Sequence, residues 1–230
     1  MLMKRETQTK PRLLSNVFVQ AAVIAVVLTT TTYALAVALG WITGALNWFE
    51  IAAGVLNYAA TFLCIKQKRA YALIGIAGSA TWAYVFWSNN LLASAVVNAY
   101  LALTLIYGYW RWGKDNSSRP VHHLALKWVP AYAGVTALIY FGAVWLTTAF
   151  GGSFAFWDAA ILVLTILAQL LQDQKVITVW IIWTLVNIVG VVLYFNTEIY
   201  FAMIQQVIFG LANIWGWMEW KKTMKQEALV

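Results

Sequence analysis

Charged side chains are scarce in this sequence. Aspartate, glutamate, lysine and arginine make up 10% of its 230 residues, whereas 63% of the residues are hydrophobic. A soluble domain cannot keep so apolar a surface in water, so lipid must be the solvent for much of the chain.

Cysteine and histidine are rarer still. The single cysteine, Cys64, excludes an internal disulfide, and the only histidines, His122 and His123, are adjacent in a polar stretch that we interpret as a solvated loop. No spacing is typical of a zinc or haem site, and we find no glycine-rich phosphate loop, nucleophile elbow or helically spaced carboxylate pair. We therefore expect no metal, no cofactor and no enzymatic activity.

Long apolar runs are what the sequence has in abundance. They predict an all-α integral membrane protein with eight transmembrane helices. The predicted spans are 17–39, 41–65, 70–88, 91–112, 124–150, 156–172, 175–195 and 198–218.

The basic residues predict the orientation of these spans. All 15 lysines and arginines lie on one side of this arrangement: before the first span, at or next to the connections that follow spans two, four and six, or after the last span. The opposite connections, "GWITGALN", "SNN", "GGSFAF" and "NTE", contain none. This positive-inside pattern predicts that both termini are cytoplasmic, and it explains the net charge of +7 without a nucleic-acid partner. "ALAVALG" resembles a signal-peptidase site, but the apolar run before it is long for a signal peptide, so we expect the first span to be retained.

A weak internal repeat has an offset of 108 residues. "NWFE" at 47–50 meets "AFWD" at 155–158, and "YGYWRW" at 107–112 meets "WGWMEW" at 215–220. Gln67-Lys68 meets Gln174-Lys175 within one residue of register. The offset superimposes spans 2–4 on spans 6–8, and one intervening helix makes the two copies parallel.

The repeat predicts two parallel three-helix bundles joined by a linker helix (3+1+3), plus an N-terminal extra helix. This plan resembles that of SWEET-type transporters, and repeat-built transporters bind substrate near the midplane between the two halves. The expected segments are 1–40 (cytoplasmic segment and extra helix), 41–112 (first bundle), 113–155 (loop and linker helix), 156–220 (second bundle) and 221–230 (cytoplasmic tail).

Amides replace charges inside the predicted spans. The carboxylates Glu50, Asp158 and Glu198 fall toward the outer ends and Asp173 falls at an inner turn, so we expect no buried carboxylate relay for proton coupling. The amides are Asn57, Asn98, Gln169, Asn187, Gln205, Gln206 and Asn213. Any one of them could instead bond a neighbouring helix, which is worth about 0.6–2 kcal/mol.

One stripe is harder to explain by packing alone. Trp180, Trp183 and Asn187 lie at i, i+3 and i+7 and share a helix face. Their equivalents in the first repeat are the small residues Ala72, Gly75 and Ser79, which predicts a lopsided pocket suited to a flat ring. We interpret the remaining tryptophans near the cytoplasmic boundary as an interfacial belt, to which Trp180 could also belong. These belt residues are Trp110, Trp112, Trp215, Trp217 and Trp220.

The stripe Trp180-x-x-Trp183-x-x-x-Asn187 resembles the WxxWxxxN/D pattern of the PnuC family of bacterial vitamin transporters. The resemblance extends from span 2 to span 8. It implies uptake of nicotinamide riboside by facilitated diffusion through the bacterial inner membrane, with a cytoplasmic kinase that traps the substrate by phosphorylation. We also expect a homo-oligomer, with a trimer as its form. Relatives carry thiamine or deoxynucleosides, so these substrates stay open.

The chemistry of the stripe suits such a ligand. A cationic pyridinium is attracted to an indole face, and amides supply donors and acceptors to a carboxamide and a ribose. A phosphate would need a basic group or a helix N-terminus, so we expect the mononucleotide to be refused. The candidate site residues are Trp183 and Asn187, then Trp180, Gln206, Asn98 and Asn213, with Asn57, Ser79, Tyr84 and Gln169 as further candidates. Two competing hypotheses come from different functional classes, an integral-membrane enzyme and a non-transporting scaffold subunit.

Overall fold

The computed structural model describes residues 16–44, 47–88, 92–113, 120–149 and 155–227. These residues form eight α-helices, a short 3₁₀ turn at Leu126–Trp128 and an isolated bridge between His122 and Val176. The helices are α1 (Val17–Ala38), α2 (Trp48–Ile65), α3 (Ala70–Ser88), α4 (Leu92–Trp112), α5 (Val129–Ala149), α6 (Ala155–Asp173), α7 (Val179–Asn196) and α8 (Tyr200–Glu227). The predicted all-helical fold is confirmed. The basic residues before α1, together with Lys114 and Arg119, lie outside the described residues.

Several helix boundaries differ from the predicted spans, among them those of α2, α7 and α8. α2 begins at Trp48 rather than 41, because the Asn47 side chain accepts hydrogen bonds from the amides of Phe49 (3.1 Å) and Glu50 (3.4 Å) and so caps the helix. α7 begins at Val179 rather than 175, because Lys175 adopts a left-handed φ of 55° that ends regular helix. α8 runs through to Glu227, so most of the segment expected to be a separate tail continues this helix.

Six of the described helical segments are long and apolar enough to cross a membrane by length and composition. They are α1, α2, α3, α5 with its preceding 3₁₀ turn, α6 and α7. α4 and α8 are more polar, since α4 ends in Arg111-Trp112 and α8 ends in a lysine-containing stretch. That α4 and α8 also cross the membrane remains a prediction.

Six helices form a closed ring. The helices α2, α3, α4, α6, α7 and α8 each contact the next one in this order, and α8 contacts α2. α1 lies outside the ring against α2 and α8. Among the described helices α5 packs only on α6, and none of its residues is buried. The order of the ring places α3 opposite α7, across a central space.

Equivalent contacts join the two halves of the ring. Trp112 donates through Nε1 to the carbonyl of Gln172 (3.2 Å), and Trp220 donates through Nε1 to the carbonyl of Cys64 (3.3 Å). Both the donors and the acceptors are 108 positions apart. Gln67, at the same offset from Lys175, has a similar φ of 53°. The two-repeat organisation remains a prediction, and these paired contacts support it.

The interfacial-belt interpretation is wrong for two of the tryptophans. Trp112 and Trp220 are both 0% exposed, and their ring centroids lie 5.9 Å apart. Their indole nitrogens are satisfied by the carbonyls of the opposite half, so these rings stabilise the contact between the halves. Trp110, by contrast, is 76% exposed and fits a lipid-facing position.

Candidate substrate-binding cavity

A cavity of about 200 Å³ lies at the centre of the ring, and all six ring helices contribute to its wall. Nine of the ten predicted site residues line it: Asn57, Ser79, Asn98, Gln169, Trp180, Trp183, Asn187, Gln206 and Asn213. The structure therefore brings together residues that are distant in sequence. Their role as substrate ligands remains a prediction at this point.

Tyr84 is the predicted site residue that the structure places elsewhere. Its side chain is 52% exposed, and its ring packs on Phe49 with a centroid distance of 4.7 Å. Ser79, which does line the cavity, is five positions earlier on the same helix. Five helical positions correspond to a rotation of roughly 140° past a full turn, so the two side chains point in different directions.

Trp183 forms a fixed wall on one side of the cavity. Its Nε1 donates a 2.8 Å hydrogen bond to Oε1 of Gln172, which also lines the cavity and is 7% exposed. Across the ring, α3 presents the small residues Gly75 and Ser79. The bond to Gln172 fixes the orientation of the indole, so that a flat ligand could stack on its face.

Asn187 is fixed by a second polar contact. When the Asn213 amide is oriented to satisfy its neighbours, its oxygen accepts hydrogen bonds from Nδ2 of Asn187 (2.9 Å) and from the backbone amide of Thr184 (3.1 Å). In the same orientation its nitrogen donates to the carbonyl of Phe209 (3.3 Å). The Asn187 carbonyl then remains as an acceptor at the cavity wall.

Two buried nitrogen donors of the cavity lining have no hydrogen-bond partner among the described residues. They are Nε1 of Trp180 and Nε2 of Gln205. A buried donor without a partner costs about 1–3 kcal/mol, so each of these atoms needs an explanation. A ligand with several acceptors would provide one.

Trp180 belongs to the cavity and not to an interfacial belt. It is 3% exposed, and its ring lies against Gly216, where an added Cβ would be 2.5 Å from Cη2 of the indole. The absence of a side chain at Gly216 therefore allows the close approach of α7 and α8 at this point.

Several residues that line the cavity are not among the predicted site residues. Gln172, Tyr71, Trp82, Phe86 and Tyr194 all line it. The repeat could have predicted one pair of them, because Phe86 and Tyr194 are 108 positions apart and so occupy equivalent positions in the two halves. Their rings stack with centroids 5.4 Å apart and an interplanar angle of 12°. Gln205, which the sequence places among the membrane amides without assigning it to the site, also lines the cavity.

Of the described residues that line the cavity, only Cys64 and two tyrosines can ionise. Among its described lining residues there is no lysine, arginine, histidine, aspartate or glutamate. Nor do the described residues contain a cluster of three His, Cys, Asp or Glu side chains able to hold a metal ion. The wall is thus suited to a ligand recognised by stacking and by neutral hydrogen bonds.

Charges lie just behind the wall, at the end of the cavity next to the α6–α7 turn. We call this the inner end, because the predicted topology assigns that turn to the cytoplasm. Asp173 is 2% exposed there, and its Oδ1 accepts a 2.8 Å hydrogen bond from Nε2 of Gln169. Asp173 borders the predicted inner turn, but its side chain is buried because α6 extends to residue 173 and packs its last turn inside the ring.

Two charged groups near the inner end have perturbed pKa values. Burial lowers the pKa of Lys175, whose Nζ lies 5.2 Å from the centroid of the Trp112 ring. The 3.1 Å hydrogen bond from Lys66 is the main cause that lowers the pKa of Glu219 in α8. The Lys66–Glu219 ion pair links the end of α2 to α8, which connects the two halves on the inner side.

Comparison with known proteins identifies the family. The family model described as "Nicotinamide mononucleotide transporter" matches residues 47–222. The chain is 20% identical over 211 residues to the nicotinamide riboside transporter PnuC of Escherichia coli, covering 79% of this chain and 88% of that protein. It is 25% identical over 187 residues to the Haemophilus influenzae protein of the same name, covering 78% and 82%.

Two further similarities are to a transporter of another vitamin and to a crystal structure. The riboflavin/roseoflavin transporter RibM of Streptomyces davaonensis is 28% identical over 140 residues, covering 57% of this chain and 65% of that protein. The crystal structure of the vitamin B3 transporter PnuC superimposes with a TM-score of 0.73 at 17% identity, covering 90% of this chain and 92% of that one. This structural likeness confirms the all-helical fold.

The family match begins at the residue that caps α2 and ends beyond Trp220, so it includes the cavity and all its lining residues. The resemblance to the PnuC family inferred from the tryptophan stripe is confirmed. The family and its relatives are transporters and not enzymes. The chain therefore belongs to the nicotinamide mononucleotide transporter family and is a multi-pass transporter of a bacterial membrane.

Proposed function

We propose that this protein mediates uptake of nicotinamide riboside across the bacterial inner membrane, by facilitated diffusion with alternating access. The observation that carries the proposal is the fixed indole of Trp183, bonded to Gln172 and facing small residues across the cavity. The similarity to the nicotinamide riboside transporters of Escherichia coli and Haemophilus influenzae supports this substrate.

The chemical groups of nicotinamide riboside match the side chains of the cavity wall. Its nicotinamide ring is a cationic pyridinium, which is attracted to an indole face. Its carboxamide and ribose offer acceptors to the indole nitrogen of Trp180 and the amide nitrogen of Gln205, which have no partner among the described residues. They also offer donors to the Asn187 carbonyl. A ligand of this kind would relieve the cost of leaving those groups unpaired.

The mononucleotide named in the family description is not the substrate that we expect. A phosphate needs arginine, lysine or a helix N-terminus in contact with it. The described lining residues include neither arginine nor lysine, so a phosphate there would lose its hydration without meeting a cationic side chain. The cavity therefore favours the riboside, in which no phosphate must be desolvated.

Riboflavin is a second candidate, because RibM is among the similar proteins. Its isoalloxazine is also flat and could stack on Trp183, but it is uncharged and would gain less from the face of an indole. Thiamine and deoxynucleosides complete the set of candidate substrates for this class of transporter.

Titration calorimetry on the purified protein distinguishes these candidates directly. The ligands are nicotinamide riboside, nicotinamide mononucleotide, riboflavin, thiamine, a deoxynucleoside and a sugar. We expect measurable binding of the riboside and at least a tenfold weaker affinity, about 1.4 kcal/mol, for each of the remaining ligands. Equal affinities for the riboside and the mononucleotide would reveal a phosphate site and contradict the proposal.

Orientation and assembly belong to the same proposal. Cytoplasmic termini are supported by the one-sided distribution of lysine and arginine. We expect a homo-oligomer, with a trimer as its form. Light scattering that subtracts the detergent would measure its mass, and a monomeric mass at micromolar concentration would contradict this expectation.

A further inference from the structure

The substrate chemistry described above leaves the buried carboxylate at the inner end of the cavity unexplained. Asp173 is 2% exposed, and its Oδ1 accepts the 2.8 Å hydrogen bond from Gln169. Among the described residues, no lysine or arginine nitrogen lies within 4.0 Å of this carboxylate. A buried carboxylate without a cation beside it is costly, and in membrane helices such residues are generally functional.

The other ionisable groups around Asp173 do not place a positive charge directly beside it. Tyr71, Tyr100, Cys64 and Arg111 are near enough to interact with it electrostatically. Arg111 is the cation of this group, and it is exposed at the end of α4, where solvent weakens its influence.

Lys175 is the second cation of this region, and it interacts with different groups. Its electrostatic neighbours are Glu227 and Cys64, and its Nζ lies over the ring of Trp112. Lys175 therefore interacts with these other groups and not directly with the Asp173 carboxylate.

Asp173 lies directly behind the residues that line the cavity. Gln169, which donates to it, lines the cavity, as does Tyr71. Gly108 of α4 allows this close packing, because a Cβ there would lie 3.0 Å from the Tyr71 hydroxyl and would overlap the carboxylate. The residue before Asp173 is Gln172, which holds the indole of Trp183. The carboxylate is thus placed close behind the wall on which the ring of the substrate is proposed to stack.

We propose that Asp173 is the counter-charge that makes this cavity prefer a cationic ring over an uncharged ring of the same shape. The inference rests on the proposed function, since it concerns the substrate of that same cavity. A pyridinium in the cavity supplies the positive charge that the buried carboxylate lacks among its neighbours. Opposite charges about 8–10 Å apart, in an effective dielectric of about 20, attract strongly enough to change a dissociation constant by roughly ten- to thirtyfold. Asp173 acts through space, and Gln169 separates it from the ligand.

The test compares two ligands that differ at one ring atom. Nicotinamide riboside is the cation, and benzamide riboside, in which carbon replaces the charged nitrogen, is its uncharged analogue with the same carboxamide and ribose. Both are titrated into wild type, Asp173→Asn, Asp173→Ser and Asp173→Glu. The matched control is Asp158→Asn, which removes a carboxylate from the same helix at a position outside the cavity lining.

We expect the two uncharged variants to bind nicotinamide riboside roughly ten- to thirtyfold more weakly than wild type, while their affinity for benzamide riboside stays within about threefold. Asp173→Glu and the Asp158 control should keep the wild-type preference for the cation. Retained binding of benzamide riboside also shows that a variant is folded, and the use of Asn and Ser together prevents one misfolded variant from deciding the result.

Three results would overturn the inference. If the uncharged variants lose both ligands in the same proportion, Asp173 has a structural role. If they bind both ligands as wild type does, the carboxylate does not reach the substrate. In either case wild-type binding of nicotinamide riboside leaves the proposed function intact. If wild type binds neither riboside, the proposed function fails and the inference fails with it.

Discussion

Removing the indole of Trp183 should weaken riboside binding while leaving the protein folded. The ring is partly exposed to the cavity and contacts Gln172 through one hydrogen bond, so Trp183→Ala enlarges an existing space and does not open a sealed core. Stacking of a desolvated cation on an indole is worth on the order of 2 kcal/mol, which corresponds to roughly a thirtyfold increase in the dissociation constant.

Two variants at Gln172 distinguish the contribution of the Trp183 ring from that of the hydrogen bond that orients it. Gln172→Leu removes the acceptor of the indole nitrogen but keeps the ring, so it should cost about 1 kcal/mol, or roughly fivefold in affinity. Gln172→Glu keeps an acceptor oxygen at that position and should bind the riboside more tightly than Gln172→Leu does.

Asn187→Ala removes the amide that Asn213 holds, and this loss should weaken riboside binding by about 1–3 kcal/mol.

Calorimetric titration of nicotinamide riboside into each purified variant measures these differences. The control is Trp110→Ala, because Trp110 is 76% exposed on α4 and lies outside the cavity lining. Its affinity should equal that of wild type. Wild-type affinity in Trp183→Ala, or loss of binding that is accompanied by loss of the folded protein, would show that the stripe is packing and that the ligand binds elsewhere.

Three additional outcomes are expected. Trp220→Ala should lower the thermal unfolding temperature in detergent, because truncating a buried tryptophan costs about 3–5 kcal/mol, whereas Trp110→Ala should leave that temperature unchanged. Cysteines introduced at 114–119 should resist labelling from outside the cell and those at 151–153 should be labelled, with the native Cys64 buried; external labelling at 114–119 would refute the topology. Proteoliposomes that contain a kinase should accumulate labelled riboside, whereas empty vesicles should only equilibrate; concentrative uptake into empty vesicles under a proton gradient would refute facilitated diffusion.

Helical periodicity is sufficient to predict one wall of the cavity. A spacing of i, i+3 and i+7 defines a face whichever helices surround it, and Trp180, Trp183 and Asn187 do line the same space. The weak repeat indicates that the opposite helix carries small residues, and α3 presents Gly75 and Ser79 there. No helical periodicity supports the prediction of Tyr84 as a site residue, and the structure places it outside the cavity.

The inner end of the cavity cannot be predicted in the same way. Its groups belong to the last turn of α6 and to the turn that follows, where an error of two residues decides whether a side chain is buried or exposed. Gln172 and Asp173 lie at this boundary, so the sequence does not reveal their contacts with Trp183 and Gln169. An aromatic residue near the end of a span is equally ambiguous, since a belt and a buried interface favour the same residue types.

The contacts that join the two halves are symmetric, whereas the pocket between them is not. Phe86 and Tyr194 stack at one end of the ring, and Trp112 and Trp220 meet at the opposite end, each pair being related by the 108-residue offset. Between these pairs the offset relates Trp183 to Gly75, two residues of very different size. Each end therefore has its own aromatic contact between the halves, which must separate if the halves open at that end. An unequal pair in the middle gives a flat ring a single face on which to stack. Residues of the end pairs should therefore determine stability and the opening of the cavity, and residues of the central wall should determine which ring is bound.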